Sequence, residues 1–160
     1  MINETQLVGL FVFGIAAASC FLRNKGEWKI LGLVFSAFMA EIILGWRHMT
    51  HKVLVGWLGS FYNARAPIQL LMLIACVICI AALAVTCLRQ THKPLTVRLV
   101  YLLALLALGL FGVEAISLHK IDALLYQPVG PVLYIAWIWG AICLGVTSIA
   151  IGDSIHKRLF

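Results

Sequence analysis

The sequence predicts an all-α, polytopic membrane helix bundle with about five transmembrane helices. Three observations carry that reading. First, the 160-residue chain is 63% hydrophobic and only 11% charged, with a mean hydropathy of +1.04. Soluble domains carry roughly 25% charged residues, so the solvent for much of this chain must be lipid. Second, the apolar residues fall in runs long enough to span a bilayer. Third, the basic residues stand singly between those runs. The net charge of +6 therefore reads as membrane-flanking charge rather than a phosphate-binding stripe, and nucleic acid is not an expected partner.

The apolar runs lie at about 7–22, 30–46, 68–88, 97–118 and 131–151, within a single transmembrane domain covering 1–160. A spanning helix needs roughly 20 apolar residues. The last three runs meet that length; the first two are short and extend into their flanks or tilt less. A four-span bundle with one re-entrant segment is the alternative. Pro67, Pro94, Pro128 and Pro131 all fall in connections or at helix starts, where a missing N–H costs little. No cleavable signal peptide is expected, because "MINETQ" is acidic rather than basic.

Residues 47–62 predict a different kind of helix. Met49, Val53, Leu54, Trp57, Leu58 and Phe61 recur at helical spacing, while Arg47, His48, His51, Lys52 and Ser60 fall largely on other faces. Such an amphipathic helix, between spans two and three, is suited to lie in the membrane interface. Trp46, Trp57, Tyr62 and Tyr126 would form an aromatic belt on the same side.

Orientation follows from Lys and Arg. With five spans, Arg23, Lys25, Lys29, Arg89, Lys93, Arg98, Lys157 and Arg158 share one side, and Arg47, Lys52, Arg65 and Lys120 share the other. The richer side belongs in the cytoplasm. The N-terminus is then outside and the C-terminus inside, in what reads as a bacterial inner membrane.

Alternation of spans gathers polar residues at the outer boundary: Arg47, His48, His51, Arg65, Gln69, Ser117, His119 and Asp122. Just beneath are Glu41 in span two and Glu114 in span four. Each sits about five residues from the end of its apolar run, or roughly 7–8 Å down at the helical rise. Ionisable groups in a bilayer are costly and face a bundle interior or a cavity.

Two readings of this cluster compete. His48 and His51 are three apart, on one helix face, and His119 and Asp122 repeat the spacing. Together they could hold zinc, iron or copper, with Glu41 or Glu114 as a further ligand or general base. A metal-activated water could then attack a lipid or lipid-linked substrate. Neither Glu-x-x-His nor His-Glu-x-x-His is present, however. The other reading is a structural or ligand-binding polar cluster of Glu41, Arg47, Arg65, Gln69, Glu114 and Ser117, in which Glu41 pairs with Arg47 or Arg65. Haem is disfavoured because His48 and His119 both lie at the edge of the bundle.

The cysteines do not form a disulfide framework, since Cys20, Cys76, Cys79, Cys87 and Cys143 all lie within apolar runs or at their ends. Cys76 and Cys79 make a Cys-x-x-Cys in mid-span, where apolar surroundings oppose a thiolate, so they read as packing residues.

Two stretches carry a resemblance. "WLGSFYNARAPIQ" (57–69) is similar to the Gly-Trp-Tyr-x-x-Arg-Arg-x-x-Gln segment of a family of small uncharacterised bacterial five-helix membrane proteins. "EAISLHKIDALL" (114–125) is similar to that family's Arg-Ala-x-Ser-Phe-His-x-x-Asp segment at the end of its fourth helix. The resemblance carries over Tyr62, Arg65, Gln69, Ser117, His119 and Asp122. Glu114 stands where the family tends to have Arg, and Ala66 replaces the second Arg. The resemblance implies a five-helix architecture and no activity.

The function expected from these residues is that of a small integral membrane protein, a binding or accessory subunit with an outward-facing polar pocket. Lipid, a small ligand, a membrane protein partner or a second copy of the chain are the expected occupants. One alternative is a membrane metalloenzyme. The other is a small transporter with Glu41 and Glu114 as proton carriers. A transporter needs a pathway to both sides, yet the inner half of the bundle is expected to lack ionisable residues.

Overall fold

The helices begin and end where local chemistry dictates. In the computed structural model, which describes residues 3–59, 65–116 and 119–159, α1 (Glu4–Phe21) starts at Asn3. The Asn3 side chain accepts from the Gln6 N–H at 2.8 Å, and the Gln6 side chain accepts from the Asn3 N–H at 3.0 Å. This capping box satisfies two backbone donors that the first turn leaves over. Helix α2 (Gly26–Leu44) stops at Gly45, whose φ of 65° is left-handed and whose N–H reaches the Glu41 carbonyl at 2.6 Å. A further helix, α3 (Trp46–Gly59), follows immediately.

Helix α4 (Arg65–Arg89) and α5 (Leu95–Ile116) are joined by a short turn ending in Pro94, which cannot continue a helix. A short α6 (His119–Leu125) leads to a hairpin of β1 (Pro128–Val129) and β2 (Val132–Leu133), antiparallel with Val129 opposite Val132. Gly130, with φ 68°, occupies the first position of its two-residue loop, where the hairpin needs a residue that tolerates positive φ. Helix α7 (Tyr134–Leu159) follows.

Four of these helices, α1, α4, α5 and α7, are long and apolar enough to cross a membrane. Helix α2 is 19 residues long but carries Glu27, Lys29 and Glu41. It nevertheless packs antiparallel against α1, with contacts from Gly32 to Ile42. Gly32 faces the Phe21 ring near one end, Phe35 and Phe38 meet Phe13 in the middle, and Ile42 meets Gly9 at the other end. Helix α7 runs parallel to α1. At one end the Leu133 N–H, just before α7, donates to Thr5 Oγ1 at 3.1 Å; at the other, Arg23 pairs with Asp153.

The middle of the bundle is aromatic. Phe13, Phe35, Phe38, Phe111 and Trp139 come from α1, α2, α5 and α7, with neighbouring ring centroids 5.1 to 6.4 Å apart. Offset and tilted rings at these distances attract beyond their area burial. Around them Leu31, Val100, Ala107, Ile135 and Val146 are fully buried. Helix α4 sits at the periphery on α5, and among its described residues only Gln69 and Cys87 are buried. Its outward row includes Leu70, Leu71, Ile74, Val77 and Ile78, an arrangement suited to a lipid solvent.

The elements depart from the apolar runs at their edges. The connection 119–131 contains α6 and most of the hairpin, and the polar stretch from 153 onward continues α7 to Leu159. Both departures change which polar side chains meet.

Candidate functional site: a polar cluster at one end of the bundle

The polar cluster is built on an aromatic floor. Phe38 of α2 and Phe111 of α5 stack at 5.1 Å with an interplanar angle of 23°. One turn further along each helix come Glu41 and Glu114. Residues three apart share a helix face, and α2 and α5 run in the same direction, so the two carboxylates rise to one level above a single ring pair. Glu114 is buried, with 5% of its surface exposed. Glu41 is half-buried, with one carboxylate oxygen wholly shielded from solvent.

Glu41 lies nearer its helix end than the apolar run suggests. Helix α2 ends at Leu44 and is capped by Gly45, so Glu41 stands in its last turn, roughly 4–5 Å from the end at 1.5 Å per residue. Glu114 stands in the last described turn of α5.

Three further side chains close around this level. Tyr126, just after α6, donates its hydroxyl to Glu114 Oε1 at 2.8 Å. Gln69, buried on the first turns of α4, donates from Nε2 to the Ile116 carbonyl at 3.2 Å and so ties α4 to the end of α5. Asp122 of α6 is half-buried, has one shielded carboxylate oxygen, and its carbonyl accepts from the Tyr126 N–H at 2.9 Å. A donor held against a buried carboxylate makes its burial tolerable.

The structure therefore brings Glu114, Gln69 and Asp122 to one end of the bundle and places Glu41 level with Glu114. The side chains of Arg47, His48, His51, Arg65 and His119, and the whole of Tyr62 and Ser117, lie outside the described residues. The backbone puts His48 and His51 on α3, which packs against α5, and His119 at the start of α6. Among the described residues, no three His, Cys, Asp or Glu side chains group closely enough to hold a metal ion.

Two polar contacts go beyond the sequence expectations. Tyr126 is a partner of Glu114 rather than only a belt aromatic; the 12-residue separation gives no local signal for that contact. At the opposite end of the bundle, Arg23 and Asp153 form an ion pair with 6% and 10% of their side chains exposed. Thr96 donates to Asp153 Oδ1 at 3.4 Å, and the Arg23 guanidinium lies 5.5 Å from the Trp28 ring centroid. The end of the bundle expected to lack ionisable residues thus does hold a buried pair of them, because α7 carries Asp153 past the end of its apolar run.

Comparison with protein-family models, curated proteins and solved structures returned no match.

Proposed function

We propose that the protein is a five-span integral membrane protein of a bacterial inner membrane, with its N-terminus outside, acting as a binding or accessory subunit through the polar cluster around Glu41 and Glu114. Support for the fifth span is that α2 packs antiparallel along α1 from Gly32 to Ile42. In this reading α3 lies in the outer interface, with Trp46, Met49, Val53 and Trp57 exposed along one stripe toward lipid. Kinship with the small five-helix family, through Tyr62, Arg65, Gln69, Ser117, His119 and Asp122, belongs to the same proposal.

The observation that carries the binding role is the pair of carboxylates at one level above a closed aromatic floor. The ring cluster beneath packs the bundle centre with apolar side chains, which offer no polar stepping stones from this level toward the other end. That favours binding over transport. The occupant is a lipid headgroup, a small polar ligand or a partner segment carrying donors.

Native mass spectrometry of the protein released from mild detergent tests this. Wild type should carry an added mass that Glu114→Gln and Tyr126→Phe each reduce at least several-fold. A wild type with the mass of the bare chain, or an adduct equally retained in both variants, would overturn it.

The metalloenzyme reading is the rival. What favours it is that α3, with His48 and His51, packs against α5, while α6, with His119 and Asp122, follows α5 in the chain. A zinc, iron or copper ion there would supply a Lewis acid and an activated water. About one metal equivalent in the purified protein, lost in His48→Ala and His119→Ala, would establish it over the simple binding role.

A further inference from the structure

A second feature lies away from this cluster, along the side of the bundle. Tyr101, Leu105 and Leu108 occupy one face of α5 at i, i+4 and i+7. Two clefts flank that strip. One, of about 340 Å³, lies toward α2 and is lined by Leu31, Val34 and Phe38 as well as Ala104 and Leu108. The other, of about 220 Å³, lies toward α4 and carries Thr86, Gln90 and Lys93. Tyr101 and Leu105 line both, so this strip of α5 is a wall common to the two clefts, with the Lys93 ammonium over the Tyr101 ring at its head. The grooved surface along the strip is polar at the α4–α5 turn and hydrocarbon beyond Tyr101, over seven residues or about 10 Å.

We infer that this groove binds an anionic phospholipid, with its phosphate at Lys93 and an acyl chain along Leu105 and Leu108. Lys93 is held in place from two sides. Its Nζ is 4.8 Å from the Tyr101 ring centroid and 3.4 Å from Glu27 Oε1. An ammonium has three donors, so one can serve Glu27 while the others meet a phosphate oxygen. Arg89 and Arg98 flank the same turn and add positive charge; Glu27 is the acidic group that faces Lys93. Polarity and charge at one end, and apolar length at the other, match a phospholipid and not a soluble anion.

The site shares Phe38 with the floor beneath Glu41 and Glu114 but none of the groups that test that cluster, so its test can fail without touching that reading. Detergent-purified protein is titrated with phosphatidylglycerol and, separately, phosphatidylcholine, and bound lipid is read by native mass spectrometry. Phosphatidylglycerol should be retained about tenfold more strongly. Lys93→Gln should abolish the preference and Lys93→Arg should keep it. Glu27→Gln separates a binding role from a merely structural ion pair: it should maintain or strengthen retention, because it removes a competing anion. Ala104→Phe, which fills the apolar cleft, should weaken both lipids. Equal retention of the two lipids by wild type, an unchanged preference in Lys93→Gln, or loss in Glu27→Gln matching that in Lys93→Gln would each overturn the proposal. So would displacement of the lipid by glycerol phosphate alone.

Discussion

The Arg23–Asp153 pair shows how much can rest on two side chains. Both are almost wholly buried, and they pair with each other. Breaking a buried pair by removing one partner typically costs about 3–5 kcal/mol, whereas replacing both with apolar groups of similar size is often close to neutral. Arg23→Met and Asp153→Leu should therefore each lower the unfolding midpoint in mixed micelles substantially, and the double variant should lose less than either. Additive losses would show that the pair is not coupled. Single side chains also mark what a sequence can and cannot reveal. Glu114 and Gln69 are legible because a polar residue within an apolar run must find a partner. Their partners, the Tyr126 hydroxyl and the Ile116 carbonyl, are set by how helices meet, which no local pattern encodes. Asp153 is hidden because it sits where hydropathy falls away, although α7 continues through it.

Between helices, glycine marks the closest approach. A Cβ on Gly9 would lie 2.6 Å from Ile42 Cδ1 and 2.9 Å from Trp139 Cζ3, so α1, α2 and α7 meet there with no room for a methyl group. Nothing lies within 4 Å of a Cβ on Gly152 in α7. Gly9→Val should thus cost about 1–3 kcal/mol through overpacking, while Gly152→Ala should be neutral or gain up to about 1 kcal/mol from helix propensity. Thermal unfolding of the two variants in one detergent measures the contrast, and equal behaviour would refute the close approach. The helices themselves are largely readable, since an apolar run of this length leaves the backbone few other ways to satisfy its hydrogen bonds in lipid. The hairpin at 128–133 is not, because strands of two residues are too short to show alternation. Helix α6, at seven residues, is likewise too short for a periodic pattern.

The number of crossings decides which polar groups can share a side of the membrane. Asn3, His92 and Gln127 are exposed or half-exposed and lie outside the membrane-length helices. If α2 crosses, Asn3 and Gln127 share the outer side and His92 is inside. If α2 instead enters and returns, the turn at His92 moves to the same side as Asn3, and Gln127 moves to the other. A cysteine placed at each position, with wild type as the blank, can be probed on intact cells with a membrane-impermeant maleimide. Five crossings predict labelling at Asn3→Cys and Gln127→Cys, with His92→Cys reacting only after permeabilisation. Labelling of Asn3→Cys and His92→Cys but not Gln127→Cys would establish four crossings. That outcome would conflict with the packing of α2 against α1, where Phe21 meets Gly32 at one end and Gly9 meets Ile42 at the other. These contacts reach from Gly32 to Ile42, so more than half of α2 lies beside a helix long enough to span. Its 19 residues rise about 28 Å, close to the roughly 30 Å of a bilayer's hydrocarbon core. Glu27 and Lys29 fall at one end of that rise and Glu41 near the other, so a crossing keeps all three charges near the boundaries, where ionisable groups cost least.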